Sequence, residues 1–330
     1  MVSISASVAT GLAKLASPMP RVSNYLEDLT LRLAAGIATL PADWRARQAE
    51  FLRAAQREDG GFAGRQGASD LYYTSFGLRG LALLGELEGE IADRAASFLR
   101  GRLRGQESVI DFFALLYSAF LLEAAAGIDL WSAVDRNWRD AVASLLETLR
   151  RPDGGYAKGL DGAASSTYHT FLVLLCRQLL ERPPPQPQAI VNFLRTQQMP
   201  DGGFREIRAS QRAGTNPTAA AVGALQMLGQ LDESMRSSTI DFLAEMQTDE
   251  GGLRANTRIP IADLLSTFTG LVTLDQLGAA AEIDLAAVRR FVRSLAAPEG
   301  GFRAAEWDTA CDVEYTFYGL GTLGLLAHYE

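Results

Sequence analysis

The sequence predicts an all-α protein of six helical hairpins, each an outer helix followed by an inner one. Three observations carry that reading. An acid followed by two glycines, and usually an aromatic, recurs as DGGF at 59–62, DGGY at 153–156, DGGF at 201–204, EGGL at 250–253 and EGGF at 299–302. The last four copies stand 48 or 49 residues apart and the first interval is 94, so a degenerate sixth copy is expected near RLRGQ at 102–106. Each copy follows an apolar-periodic stretch and precedes, after a polar loop, a second stretch richer in Ala, Leu and Gly.

In chain order, a leading helix is expected over 23–39, and the first hairpin pairs 43–57 with 70–87. The glycine pair between them suits a helix stop, because glycine reaches positive φ without steric cost. The second hairpin pairs 89–103 with 109–126, and the third 133–150 with 166–181. PPPQP at 183–187 is a stiff connector that breaks helix before the fourth pair, 186–198 and 215–231. The fifth pairs 233–247 with 262–278 and the sixth 284–296 with 311–327. The second helix of each pair is apolar on most sides and needs neighbours on most sides, so it is placed inside. Such hairpins stack in a closed ring, six helices within six, or in an open superhelix. Residues 1–44 are read as an N-terminal segment with the leading helix, and 45–330 as one repeat domain.

Composition bounds the function. The chain has 330 residues, 48% hydrophobic and 21% charged, as soluble globular proteins do. A net charge of -8 weighs against nucleic acid as a partner and against a polybasic membrane patch. Cys176 and Cys311 form no CxxC and suggest no disulfide framework, so a reduced, cytoplasmic setting is expected. The start lacks the pattern of a signal peptide, and no uninterrupted apolar run reaches the ~18 residues of a membrane span.

The phrases QREDGGF (56–62), QMPDGGF (198–204) and QTDEGGL (247–253) resemble the repeat of the prenyltransferase and squalene-cyclase superfamily, over roughly residues 45 to 327. The resemblance implies an α6–α6 toroid like protein prenyltransferase β subunits and the catalytic domains of class II terpene cyclases. It implies an isoprenoid or other hydrophobic small molecule as ligand, and a partner subunit as a further expectation. The prenyltransferases hold zinc with an Asp-x-Cys opening the fifth inner helix and a His in the sixth. Here DLLSTF (263–268) supplies Asp263 but Leu265 at the thiolate position, and DVEYTFYGL (312–320) supplies Tyr315 at the histidine position. One carboxylate does not provide the tetrahedral N, S or O set that zinc requires, so no metal site and no cofactor are expected. Acids at helix starts can hold Mg²⁺ for a diphosphate, yet the DDxxD pattern of class I ionisation is absent. In RANTRIPIAD, Arg254 and Arg258 lie out of the family's register but are the candidates to meet a diphosphate.

Class II cyclases carry Asp-x-Asp-Asp-Thr at a corresponding helix start, the middle acid protonating an alkene or epoxide. DVEYT (312–316) is similar, with Asp312, Glu314 in the middle position, and Tyr315 in place of the last Asp. The resemblance therefore implies Glu314 and Asp312 as a general-acid pair with Asp263 as polar support. Epoxide opening or diphosphate ionisation asks less of such a pair than alkene protonation.

Aligning the inner helices on their first residue puts positions zero, two, three and six in one sector, at ~100° per residue. That sector holds Asp70, Tyr72, Tyr73 and Phe76; Phe113 and Tyr117; Tyr168 and His169; and Tyr315 and Tyr318. Six of the nine tyrosines fall there, and in the resembling enzymes this sector lines the cavity. Aromatic walls accept a long isoprenoid, and their faces stabilise a developing carbocation. Trp307, in the loop before Asp312, is placed to roof such a cavity.

Plainer roles compete at each position. An Asp opening a helix is an N-cap, Glu314 could pair with Arg258 or Arg303, the tyrosines could fill core, and a lone His169 suits a hydrogen-bonded wall. The competing functions are a non-catalytic toroid serving as partner-binding scaffold or isoprenoid carrier, and a glycan-processing toroid, since paired carboxylates in an aromatic cleft also suit sugars.

Overall fold

The computed structural model describes residues 24–103 and 108–329. The first 23 residues, position 330 and positions 104–107, which take in the last three residues of the expected degenerate motif, lie outside them. Helix α1, Tyr25–Thr39, precedes six successive pairs: α2 Ala42–Ala55 and α3 Leu71–Leu84; α4 Gly89–Arg100 and α5 Val109–Ala126; α6 Trp138–Thr148 and α7 Thr167–Leu179; α8 Pro187–Gln197 and α9 Thr215–Met227; α10 Glu233–Ala244 and α11 Leu264–Gln276; α12 Leu285–Ser294 and α13 Val313–Leu326. Each expected helix is present, most ending two to four residues early. Helix α6 starts later than its apolar pattern suggests. Ahead of it, the Asp129 carboxylate accepts the Trp131 N–H at 2.7 Å, a local turn that competes with helix.

The repeated motif is a small structural device. Asp59 accepts the Gly61 N–H at 3.0 Å and the Ser69 hydroxyl at 2.8 Å, and Asp153 repeats this with Gly155 and Ser165. The residue after the glycines is a plug: Phe62, Tyr156, Phe204, Leu253 and Phe302 are all 0% exposed. Burial leaves its N–H needing a partner. That partner is a threonine hydroxyl in the first turn of the inner helix: Thr74, Thr170, Thr218, Thr267 and Thr316, at 2.8–3.1 Å. In four of the five the same hydroxyl donates to the carbonyl of the residue opening that helix, at 2.6–2.7 Å. The first glycine is needed for both conformation and space. Gly202 has φ of +88°, and a Cβ there would lie 2.1 Å from the Ser238 carbonyl oxygen of α10.

The plug residue also pairs with the helix-start residue, a feature absent from the all-α expectation. Phe62 bridges Asp70, Tyr156 bridges Ser166 and Phe204 bridges Gly214. In the last repeat the bridge grows into two short antiparallel strands, β1 Phe302–Arg303 and β2 Cys311–Asp312, with Phe302 opposite Asp312. One or two residues of pairing carry no period for sequence reasoning to find.

Two compact units make up the chain. The first contains residues 24–103, 111–135 and 295–329, with α1 to α4, most of α5, and α13. Here α13 packs on α1 and α3. Helices α1 and α13 cross at a glycine contact, where a Cβ on Gly36 would lie 1.8 Å from the Gly324 carbonyl oxygen. Gly300 rests against the Arg47 carbonyl of α2, so the last motif docks on the first outer helix. The second unit contains 136–294 with residues 108–110 at the start of α5, and in it α9 packs against both α7 and α11. Among the described helices, α5 alone has the length and apolarity of a membrane span, and 67% of it is buried in the protein.

Candidate functional site

In the first unit, α3 and α13 open with aspartates whose carboxylates cap them. Asp70 accepts the Tyr73 N–H at 2.8 Å, and Asp312 accepts the Tyr315 N–H at 2.9 Å. Capping fixes the first turn of each helix and therefore aims the next residues. Glu314 receives the Tyr72 hydroxyl at 2.6 Å and the Tyr318 hydroxyl at 3.5 Å, both on Oε1. Its Oε2 meets no hydrogen-bond partner among the described residues. Glu314 lines a pocket of about 540 Å³ with Asp312, Tyr315, Tyr73 and Trp307. Trp307, 70% exposed, stands at its edge.

Aromatic rings continue along α3 and α13 from this acid. Tyr72 meets Tyr73 at 5.2 Å between ring centroids and Phe76 at 5.0 Å, while Tyr318 meets Phe76 at 5.3 Å and Tyr315 at 6.0 Å. These are edge-to-face contacts of the favourable kind. Phe113 and Tyr117 stack on α5 at 5.6 Å, and the Tyr117 hydroxyl is taken by Thr30 of α1 at 2.5 Å. Gly64 makes room for Tyr73, since a Cβ there would come within 2.6 Å of its ring.

Two residues of this site escaped sequence reasoning. Arg65, in the loop after the first motif, donates from Nε to Asp312 at 2.9 Å and from Nη1 to Asp308 at 2.9 Å, with further bonds from Nη2 to Asp308 and the Ala310 carbonyl. Asp308 is buried and also accepts the backbone N–H groups of Ala304 and Ala310. The pair is joined across more than 240 residues of chain, so no local pattern marks it. Both Asp312 oxygens are thus engaged, one in the cap and one by Arg65.

These environments separate the acids. Burial raises the Glu314 carboxyl above the usual range, against the Tyr72 hydrogen bond that lowers it, and the neighbouring Asp312 charge adds to the rise. Burial also raises Asp312, opposed by the Tyr315 N–H and by Arg65. Burial acts on Asp308 in the same sense, but Arg65 and two backbone N–H groups overcome it and hold that carboxyl low. Asp70 is raised by burial and then by the Asp111 carboxylate.

The remaining candidates lie in the second unit. Asp263 caps α11, with both oxygens taken by Ser266, through its N–H and its hydroxyl, each at 2.7 Å. Arg254 turns to the Glu245 carbonyl, and Arg258 is exposed. Tyr168 is 37% exposed and packs on His169, whose imidazole burial, followed by the Lys158 charge, pushes down to about 4. Zinc does not fit the residues at the corresponding positions: Asp263 is a closed cap, Leu265 has no donor, and Tyr315 carries a phenol where an imidazole is needed. Among the described residues no group of three or more His, Cys, Asp or Glu side chains is placed to hold a metal ion.

Comparison with known proteins places this architecture. A search of curated protein sequences finds no match. Among solved structures, the chain is similar to Candida albicans protein geranylgeranyltransferase-I complexed with GGPP, at 15% identity over 86% of this chain and 91% of that one, with a TM-score of 0.70. It is similar to a substituted variant of the type II terpene cyclase MstE from Scytonema in complex with geranylgeranyl dihydroxybenzoate, at 16% identity, 92% and 99% coverage and a TM-score of 0.61. It is also similar to the GH76A alpha-1,6-mannanase from Salegentibacter, at 13% identity, 87% and 99% coverage and a TM-score of 0.62. At these identities the likeness shows the fold, an all-α toroid, and one that hosts unrelated chemistries. The family model described as the prenyltransferase alpha-alpha toroid domain matches residues 39–99 and 219–330, just over half the chain. The chain belongs to the prenyltransferase alpha-alpha toroid domain family.

Proposed function

We propose that the protein is a zinc-independent, terpene-cyclase-like enzyme that takes an isoprenoid into the aromatic pocket of its first unit, with Glu314 as proton donor. The observation that carries this reading is the setting of Glu314, with two phenols on Oε1 and an unpartnered Oε2 at the pocket wall. Burial raises the pKa of the carboxyl and so favours its protonated form. Tyr72 and Tyr318 then stabilise the carboxylate left behind when Oε2 gives that proton to an epoxide or a departing diphosphate oxygen. Asp312, with both oxygens occupied, positions the turn that carries Glu314. The geranylgeranyl compounds bound to two structural neighbours support the ligand class. Tyr73, Trp307 and Tyr315 line the pocket and offer it aromatic surface, and the rings of Tyr72, Phe76 and Tyr318 pack behind them.

A second reading, an isoprenoid carrier without turnover, is favoured by the engagement of Asp312, which leaves one free acid where the class II motif has more. Native mass spectrometry with farnesyl and geranylgeranyl diphosphates and their epoxides, followed by chromatography of the extracted lipid, separates the two. Expected are a one-to-one complex, altered lipid, and turnover unchanged by a zinc chelator. Glu314→Gln should keep binding and lose turnover by about 10²-fold or more. Binding with unaltered lipid in the wild type would establish the carrier, and no binding would end both readings.

A further inference from the structure

The stripe of α3 that carries Tyr72 and Phe76 continues to Arg79, three residues further along the same face. The Arg79 guanidinium carbon lies 4.6 Å from the Phe76 ring centroid, 4.9 Å from Tyr117, 5.0 Å from Phe113 and 5.6 Å from Phe317. Four rings from α3, α5 and α13 thus surround one cation. Cation–π attraction satisfies the charge of the guanidinium without using its N–H groups as hydrogen-bond donors to an oxygen. The buried Nε has no hydrogen-bond partner among the described residues. The nearest hydroxyl of the cage, on Tyr117, is committed to Thr30. Glu314 feels the Arg79 charge but gives its hydrogen-bonding oxygen to Tyr72 and Tyr318.

A buried donor left unmade costs about 1–3 kcal/mol, and more when charged. The cage is therefore incomplete as it stands, and what completes it is an acceptor in the guanidinium plane. With no carboxylate of the protein filling that role, an anionic oxygen pair is the best match, because a planar guanidinium binds carboxylate or phosphate through two parallel hydrogen bonds. We propose that Arg79 is the receptor for the anionic head group, carboxylate or phosphate, of an amphipathic ligand whose hydrocarbon part lies along Tyr72, Phe76 and Tyr318. The hydrocarbon half of this assignment rests on the isoprenoid reading above, and the head-group half does not. The rings of this cage already face a cation, so they are not the rings that would stabilise a developing carbocation.

Calorimetric titration of the full chain with farnesol, farnesoic acid, farnesyl monophosphate and octanoate tests it. In the wild type the farnesyl acid or phosphate should bind at least about tenfold more tightly than farnesol, and the tighter of the two names the head group. In Arg79→Met that preference should fall to about one, with farnesol affinity unchanged, which also shows the variant folded. Farnesoic acid and farnesyl monophosphate no tighter than farnesol, or a preference that survives Arg79→Met, overturns the proposal and leaves the isoprenoid reading standing. Octanoate binding that Arg79→Met abolishes, with no farnesyl compound bound, keeps the anion site and ends the isoprenoid reading. No anion bound at all overturns it. Should Arg79→Met fail to fold, the Arg79 Nε resonance in the wild type decides, shifting on addition of the bound anion if the site is real and staying fixed if it is not.

Discussion

Burial raises the Glu314 pKa because it removes water from the ionised form, and that has a measurable thermodynamic consequence. A carboxyl whose folded pKa exceeds its unfolded one binds protons more tightly when folded. Its contribution therefore favours folding at low pH and declines as pH rises from the ordinary carboxylate range through the raised value. Glu314→Gln removes the ionisable group, so its melting temperature should gain on the wild type as pH rises from 4 to 8, reversing the wild-type advantage expected from ordinary loss of hydrogen bonds. A difference between the two proteins that stays flat with pH would show that Glu314 titrates as a solvated acid. Arg65 offers a second test at this scale. Arg65→Met takes away the partner of Asp308 and one partner of Asp312, so amide exchange in 304–311 should speed by about tenfold, while the motif at 201–204 keeps its protection. Much of this site was legible in the residues. Asp312, Glu314 and the tyrosines sit at positions that the repeat frame places on one face. Arg79 was legible too and went unread: in the same frame it is the one charged side chain at its level, where the other inner helices carry Phe120, Leu175, Gly223, Val272 and Gly321. Arg65 and Asp308 were not, since their pairing depends on two loops meeting in space.

The hairpin derives its stability from a few polar atoms around an apolar plug. Thr218 satisfies the Phe204 N–H and is itself fully buried. Thr218→Val keeps the shape and strands that N–H, so chemical denaturation should report a loss of about 1–3 kcal/mol. Loss below about 0.5 kcal/mol would mean that water or another acceptor reaches the plug. The helices were readable because their apolar spacing persists over three or four turns. Their ends, and the bridges between plug and helix start, were not, because they depend on single hydrogen bonds made by Asp, Ser and Thr side chains. The same atoms explain why the repeated acids belong to the fold: Asp59 and Asp153 each commit Oδ1 to the turn.

At the level of the molecule, the leading helix is a structural partner of the last inner one. Helix α1 buries Leu26, Leu33 and Ile37, each contributing about 1.5–3 kcal/mol, and meets α13 at the Gly36–Gly324 crossing. Removal of residues 1–40 should lower stability by several kcal/mol and loosen α13 and α3 first, as read by amide exchange. Equal loss of protection throughout α7, α9 and α11 would instead mark α1 as a general determinant of folding. Repeat spacing made the six-hairpin plan visible, whereas the choice between ring and superhelix needed the comparison with known folds. The central claim is that the aromatic pocket beside Glu314 is an isoprenoid site, and photo-crosslinking with a diazirine-bearing farnesyl diphosphate tests it most directly. Labelling of peptides containing Tyr72, Tyr73, Trp307 or Tyr318, competed away by unlabelled ligand, is the predicted result. Competed labelling confined to other peptides, or none at all, would contradict it.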